Sequence, residues 1–152
     1  EEAMVMSDRI VVMKEGVIQQ LGTPKSIYNE PINRYVANFI GETNMIKGRF
    51  IKKDLVHFLG HDFACMGYEF IEGEEVDVVI RPEDFDVLST EEAPLVGKVI
   101  FSLFKGVHNE YEVEIQGIIL LVHTYENYEV GQLIGLAVDP YEIHLMKVEK
   151  DE

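Results

Sequence analysis

The sequence predicts a mainly β protein, an all-β barrel or sandwich with a small mixed segment ahead of it. Three observations carry this. From Asn44 onward, short apolar stretches follow one another with Gly60, Gly67, Gly73, Gly106, Gly117 and Gly131 between them. That spacing of strand and turn signals belongs to β barrels and sandwiches. Glu110-Tyr111-Glu112-Val113-Glu114-Ile115 alternates strictly, acids outward and apolar residues inward, as a half-buried strand requires. And every helix-start signal lies before Gly41.

The elements follow in order. Ile10-Val11-Val12-Met13 is an apolar run that suits a strand, Lys14-Glu15-Gly16 a turn, and 17–21 the returning strand of a hairpin. Thr23 then caps a helix that has Pro24 at its first position, where no hydrogen bond is lost. Pro31 stops that helix, because proline disfavours helical backbone in the residue before it. Asn33 caps a second helix ending at Gly41, with Tyr35, Val36, Phe39 and Ile40 expected on one apolar face. Ten strands are expected beyond it, at 45–51, 56–59, 63–66, 76–80, 85–88, 96–104, 111–115, 118–123, 133–138 and 143–148. The composition turns more acidic near Gly41-Glu42-Thr43-Asn44, so the main boundary is placed there, dividing 1–43 from 44–152. The acidic end Lys150-Asp151-Glu152 is expected to fray.

Composition narrows the function. The 152 residues carry 28 acids against 13 bases, net −15, which repels phosphate and argues against nucleic-acid binding. A single cysteine, Cys65, excludes an intrachain disulfide framework and a Cys-based zinc site; it reads as a small buried hydrophobe. The longest apolar run, 118–122, is far below the ~18 residues of a membrane span. There is no phosphate loop, no dinucleotide fingerprint and no nucleophile elbow. His57 and His61 are spaced to converge on a helix, but they lie in strand-and-turn sequence, so no metal ligand set is expected. The opening Glu1-Glu2, without a basic and apolar leader, reads as a piece of a longer cytoplasmic chain.

One segment stands out electrostatically. Residues 69–92 hold ten acids and a single base, Arg81. This is either a solvated face or a site for a cationic ligand or partner. If a site, Glu74, Glu75 and Asp77 are the first candidates, clustered at the entry to the 76–80 strand. Arg81-Pro82-Glu83 follows that strand; its charged pair either shapes a corner or faces a ligand or partner subunit. No catalytic or cofactor-binding residue is identified.

Two groups of residues carry a resemblance. Glu1-Glu2-Ala3-Met4, Ser7-Asp8-Arg9-Ile10-Val11-Val12-Met13, Gly22-Thr23-Pro24, Ile27-Tyr28, Glu30-Pro31 and Phe39-Ile40-Gly41 look like the end of the nucleotide-binding domain of ATP-binding-cassette import ATPases. Ile80-Arg81-Pro82-Glu83, Gly97-Lys98-Val99, Glu110-Tyr111, Val130-Gly131, Asp139-Pro140 and Ile143-His144 resemble the TOBE regulatory domain, a β-barrel related to the OB fold. Gly41-Glu42-Thr43-Asn44 is most similar to the spermidine/putrescine-importing branch. Residues 52–67 match no motif of the family.

The resemblance implies an OB-fold-like TOBE β-barrel over 44–152, preceded at 1–43 by a small α+β tail of the nucleotide-binding domain. It implies a regulatory and dimerisation module, not an enzyme by itself, since the family's phosphate loop, signature motif, Walker B acids and switch histidine all fall outside residues 1–152. ATP and Mg would belong to the parent chain. The implied partners are a second ATPase subunit and integral-membrane permease subunits, at the inner face of the cell membrane, with a polyamine as effector. The alternatives it leaves are a sugar or other solute importer, or a ligand-sensing domain that inhibits transport.

Overall fold

A computed structural model describes residues 9–149. The resemblance residues at 1–8 and the acidic end at 150–152 lie outside the described residues.

The chain opens with a hairpin of β1 (Ile10–Lys14) and β2 (Val17–Gly22). Glu15 (φ 49°) and Gly16 (φ 80°) are both left-handed, the backbone that a tight two-residue turn between twisted strands needs. Helices α1 (Pro24–Asn29) and α2 (Arg34–Ile40) follow. The side chains of Thr23 and Asn33 accept hydrogen bonds from the amides of Ser26 (3.1 Å) and Val36 (2.9 Å), as capping residues should. The expected apolar face of α2 needs one correction. Val36, Ala37 and Ile40 are buried, whereas Phe39 points outward and stacks on Tyr35, with ring centroids 5.8 Å apart. In so short a helix the buried stripe follows the turn from Val36 to Ile40, and Phe39 falls beside it. Ile10, Val12, Ile27, Val36 and Ile40 form a small core of their own.

Ten further strands succeed one another: β3 (Asn44–Lys52), β4 (Leu55–Phe58), β5 (His61–Ala64), β6 (Glu75–Ile80), β7 (Phe85–Leu88), β8 (Leu95–Phe104), β9 (Asn109–Ile115), β10 (Ile118–Thr124), β11 (Leu133–Val138) and β12 (His144–Lys147). They form two antiparallel sheets, ordered β12-β6-β3-β4-β5 and β10-β9-β8-β11-β7. The architecture is mainly β and OB-fold-like, with two facing sheets in place of one closed barrel. The inward sides of both sheets share one core that includes Ile46, Phe50, Phe58, Val78, Leu95, Val113, Leu120 and Leu136. Residues 52–67, which matched no motif, supply the β4–β5 hairpin, and Cys65 is buried just beyond it.

Two prolines carry the chain between the sheets. After β6, Arg81 leads into a 3-10 turn (Pro82–Asp84) and the chain enters β7 in the other sheet. After β11, Asp139 leads into a second 3-10 turn (Pro140–Glu142) and the chain returns to β12. Because β6 pairs with β12 and β7 with β11, these corners run side by side. Gly97 in β8 leaves no room for a side chain against β9: an added Cβ would sit 2.5 Å from the side chains of both Val113 and Ile115.

Candidate functional site

A cleft of roughly 950 Å3 opens where the helical segment meets the β sheets. Its walls are the end of α2 with Gly41 and Glu42, the Pro82 corner, β7, the β8–β9 turn, and the end of β10. Three devices hold it in shape.

The first is Arg81, which is 4% exposed. Its guanidinium donates to the carbonyls of Tyr28 (2.9 and 3.3 Å), Ala37 (3.1 Å), Gly41 (3.2 Å) and Glu42 (3.0 Å). These are the unpaired acceptors at the ends of α1 and α2, the negative poles of both helices. The same group lies 4.1 Å over the Tyr28 ring, whose hydroxyl donates to Glu83. Burial, with the Glu83 carboxylate beside it, raises the Tyr28 phenol well above its ordinary range. Burial also lowers the Arg81 pKa, an effect opposed by its neighbours Tyr28, Glu83 and Asp84.

The second device is Asn44. Its amide donates to the carbonyl of Leu121 (2.8 Å) and accepts from the amide of Leu121 (2.7 Å). A side chain thereby satisfies an open backbone pair on the edge strand β10 and ties the 41–44 junction to it. The third is the β9–β10 ladder, in which His123 stands directly opposite Glu110, with Nε2 2.9 Å from Oε1.

Around that pair the cleft is strongly polar. Glu42 comes within 3.9 Å of His123, and the Lys105 ammonium lies 3.8 Å from Glu110. Burial would raise the Glu110 pKa, but the His123 hydrogen bond and the Lys105 charge outweigh it and hold the carboxyl below its usual range. His108 packs against His123 with centroids 4.5 Å apart, and its Nε2 is buried without a hydrogen-bond partner. Glu110 is the exception to the outward acids of β9: its side chain is only 12% exposed because His123 covers it.

The five residues singled out from the sequence do not converge. Glu74 accepts from the amide of Ile71 (3.1 Å) and lies 3.9 Å from Lys147. Glu75 is exposed and faces Arg49 at 3.5 Å. Asp77 is buried, with Oδ2 lacking a hydrogen-bond partner. Arg81 points into the helical segment, and Glu83 lines the cleft. His57 pairs with Asp62 (2.7 Å) across the β4–β5 hairpin, away from the cleft residues. The sequence reading missed Glu42, His108, Glu110 and His123. The one signal available was His123 directly after the apolar run Ile118–Val122, opposite an alternating strand of acids.

At the other end of the Pro82 corner, the Asp84 carboxyl shares a small pocket with Glu142 of the Pro140 corner. Burial and that neighbouring carboxyl push Asp84 up to about 8. Nearby, His144 donates through Nε2 to the carbonyl of Pro31 (2.6 Å), and its Nδ1 is hydrogen-bonded with the Tyr68 hydroxyl (2.6 Å). Burial lowers the pKa of this imidazole.

Residues 78–146, which span both proline corners, match the family model of the TOBE domain, and the chain belongs to that family. Over nearly its whole length the chain is similar to the C-terminal part of spermidine/putrescine import ATP-binding proteins (PotA). It is 52% identical to that of Bacteroides thetaiotaomicron over 99% of this chain and 33% of the relative. For Clostridium acetobutylicum the identity is 47%, over 99% and 43%, and for Desulfitobacterium hafniense 48%, over 100% and 44%. The chain thus spans less than half the length of these relatives. Among solved structures it is similar in fold to the cytoplasmic molybdate-binding protein ModG, with a TM-score of 0.58 and 15% identity, over 69% of this chain and 96% of that one.

Proposed function

We propose that this chain is the C-terminal regulatory part of the ATP-binding subunit of an importer for spermidine or putrescine. The observation that carries this is the 44–52% identity to such subunits across nearly the whole chain. In this reading residues 1–43 end the nucleotide-binding domain and 44–152 form the regulatory domain. The separate core of the hairpin and helices supports that division. The hairpin also leaves Val11, Met13, Val17, Ile18 and Leu21 exposed, an apolar face suited to packing against the rest of such a domain.

ATP and Mg would act in the parent chain, since no phosphate loop stands in these residues. The permease subunits would be met through that parent domain at the inner face of the membrane. Among the described residues no helix is long and apolar enough to cross a membrane. A second copy would dock on the exposed apolar residues of β8 and β10, among them Phe101, Leu103 and Ile119, leaving the two subunits joined while their nucleotide-binding halves separate. A ligand-sensing role is favoured by one feature, the cleft, where Glu42, Glu83, Asp86 and Glu126 stand beside Tyr28 and Tyr125, a lining suited to a polyamine.

The test is a chimera. With this chain in place of the equivalent part of the Bacteroides thetaiotaomicron subunit, the assembled transporter should retain ATP-dependent spermidine uptake. Deleting that part should lower uptake or uncouple it from ATP hydrolysis. Uptake indifferent to the deletion refutes the regulatory reading. The isolated chain should release no phosphate from ATP.

A further inference from the structure

Glu42, Glu110 and His123 reach one point from three places: the junction after α2, strand β9 and strand β10. Their ligand atoms, one from each residue, all lie within 4.8 Å of one another. We propose that they form a binding site for one divalent transition-metal ion, with zinc as the best match to the ligand set, fastening the 41–44 junction to the β9–β10 hairpin. The proposal stands on this geometry and does not depend on the transport reading.

The chemistry fits in four respects. Tetrahedral zinc with bonds of 2.0–2.2 Å places its ligand atoms about 3.3 Å apart. The His123–Glu110 separation of 2.9 Å need open by only a few tenths of an ångström, and the Glu42–His123 separation of 3.9 Å need close by about as much. Glu42 is half exposed and can make that movement, while the backbone beneath it is fixed by Asn44 and Arg81. Two carboxylates and a neutral imidazole balance a divalent charge, and an imidazole favours zinc, nickel or cobalt over magnesium and calcium, which take oxygen ligands.

The surroundings agree. His108 is stacked on His123, and its orphaned Nε2 shows a polar demand in this pocket that protein groups leave unmet. Lys105, whose ammonium lies 3.8 Å from Glu110, is 39% exposed and free to swing into water as a metal enters. Three protein ligands leave one position open toward the cleft for water or an exogenous ligand.

The experiment adds Co2+ to the chain, as a spectroscopic substitute for zinc, and records its visible absorption. One equivalent should give d–d bands of low coordination number, displaced by Zn2+ but not by Mg2+ or spermidine. Losing a partner outside the ligand shell costs metal sites 10–100-fold in affinity. Glu42→Gln and His123→Gln should therefore each weaken binding at least about tenfold, whereas His57→Gln should leave it unchanged. Glu42 is exposed at the surface, so its variant tests the site without risk to folding. The proposal is overturned if no d–d band appears at stoichiometric Co2+, if both variants bind as the parent does, or if spermidine displaces the ion as well as Zn2+ does. The last result would mean diffuse attraction by an acidic cleft and no coordination.

Discussion

Replacing Arg81 with alanine should uncouple the helical segment from the β sheets. Five hydrogen bonds from one guanidinium satisfy four carbonyls at the ends of α1 and α2. Bonds to a charged donor contribute about 1.5–3 kcal/mol each, but they do not add, because the buried charge has given up its hydration. Truncation leaves those carbonyls unpaired and a cavity over Tyr28, and breaking a buried charged contact of this kind costs about 3–5 kcal/mol. For a chain of this size that is a melting shift of roughly 6–20 °C. Arg81→Lys keeps the charge, but a single ammonium cannot reach carbonyls on two helices, so it should fall between the two. Hydrogen exchange gives the sharper readout. The amides of Ile27 and Ala37, bonded to Thr23 and Asn33 at 3.0 Å, should lose protection well before those in the β6–β3 ladder. A loss of stability below about 1 kcal/mol, with exchange at these amides unchanged, would refute the assignment of Arg81 as the pin.

Two further outcomes follow from the same geometry. Asp84, pushed up to about 8, holds its proton in the folded chain where an unfolded aspartate has released it. Its contribution is therefore complete below the unfolded value near 4 and is lost as pH rises through 8. Asp84→Asn should match the parent below about pH 4 and exceed it in urea melts at pH 8–9; the reverse order would refute the buried pairing with Glu142. His144, whose pKa is lowered, acts oppositely, destabilising below about 6.5, so the comparison is made between variant and parent at each pH. Asn44→Ala leaves the amide and carbonyl of Leu121 open at a covered sheet edge and should cost about 2–3 kcal/mol in chemical denaturation. Asn44→Asp, which can still accept but not donate, should recover part of it.

The strands were legible because each is short, apolar on one side and bounded by turn chemistry. The ten expected strands all form, with ends shifted by two residues at most. The helices were legible through their caps, Thr23 and Asn33. Phe39 was misplaced because a helix of seven residues gives the hydrophobic periodicity too few turns to average over. The cleft was not legible, for a different reason. Glu42, Glu110 and His123 are brought together by strand register and by the side chain of Asn44, neither of which leaves a local pattern. The acidic run at 69–92 drew attention through density of charge, yet its members face different ways: Asp77 inward, Glu75 to solvent, Glu83 into the cleft. Arg81 was conspicuous as a lone base among acids, and its partners proved to be backbone carbonyls, which sequence cannot display.

The twin proline corners have a topological meaning. The chain leaves the first sheet at Pro82 and returns to it at Pro140, and everything between belongs to the other sheet. Phe85, where that excursion begins, stands opposite Val138, where it ends. Residues 85–138 are thus a detour whose entrance and exit adjoin, spliced between β6 and β12 of a host sheet that is otherwise complete. Such an excursion can lengthen, shorten or acquire new loops without moving the points where it is anchored. Alteration in the host sheet has no such freedom, since β12, its last strand, covers the almost wholly buried β6 and is reached only after the detour is finished.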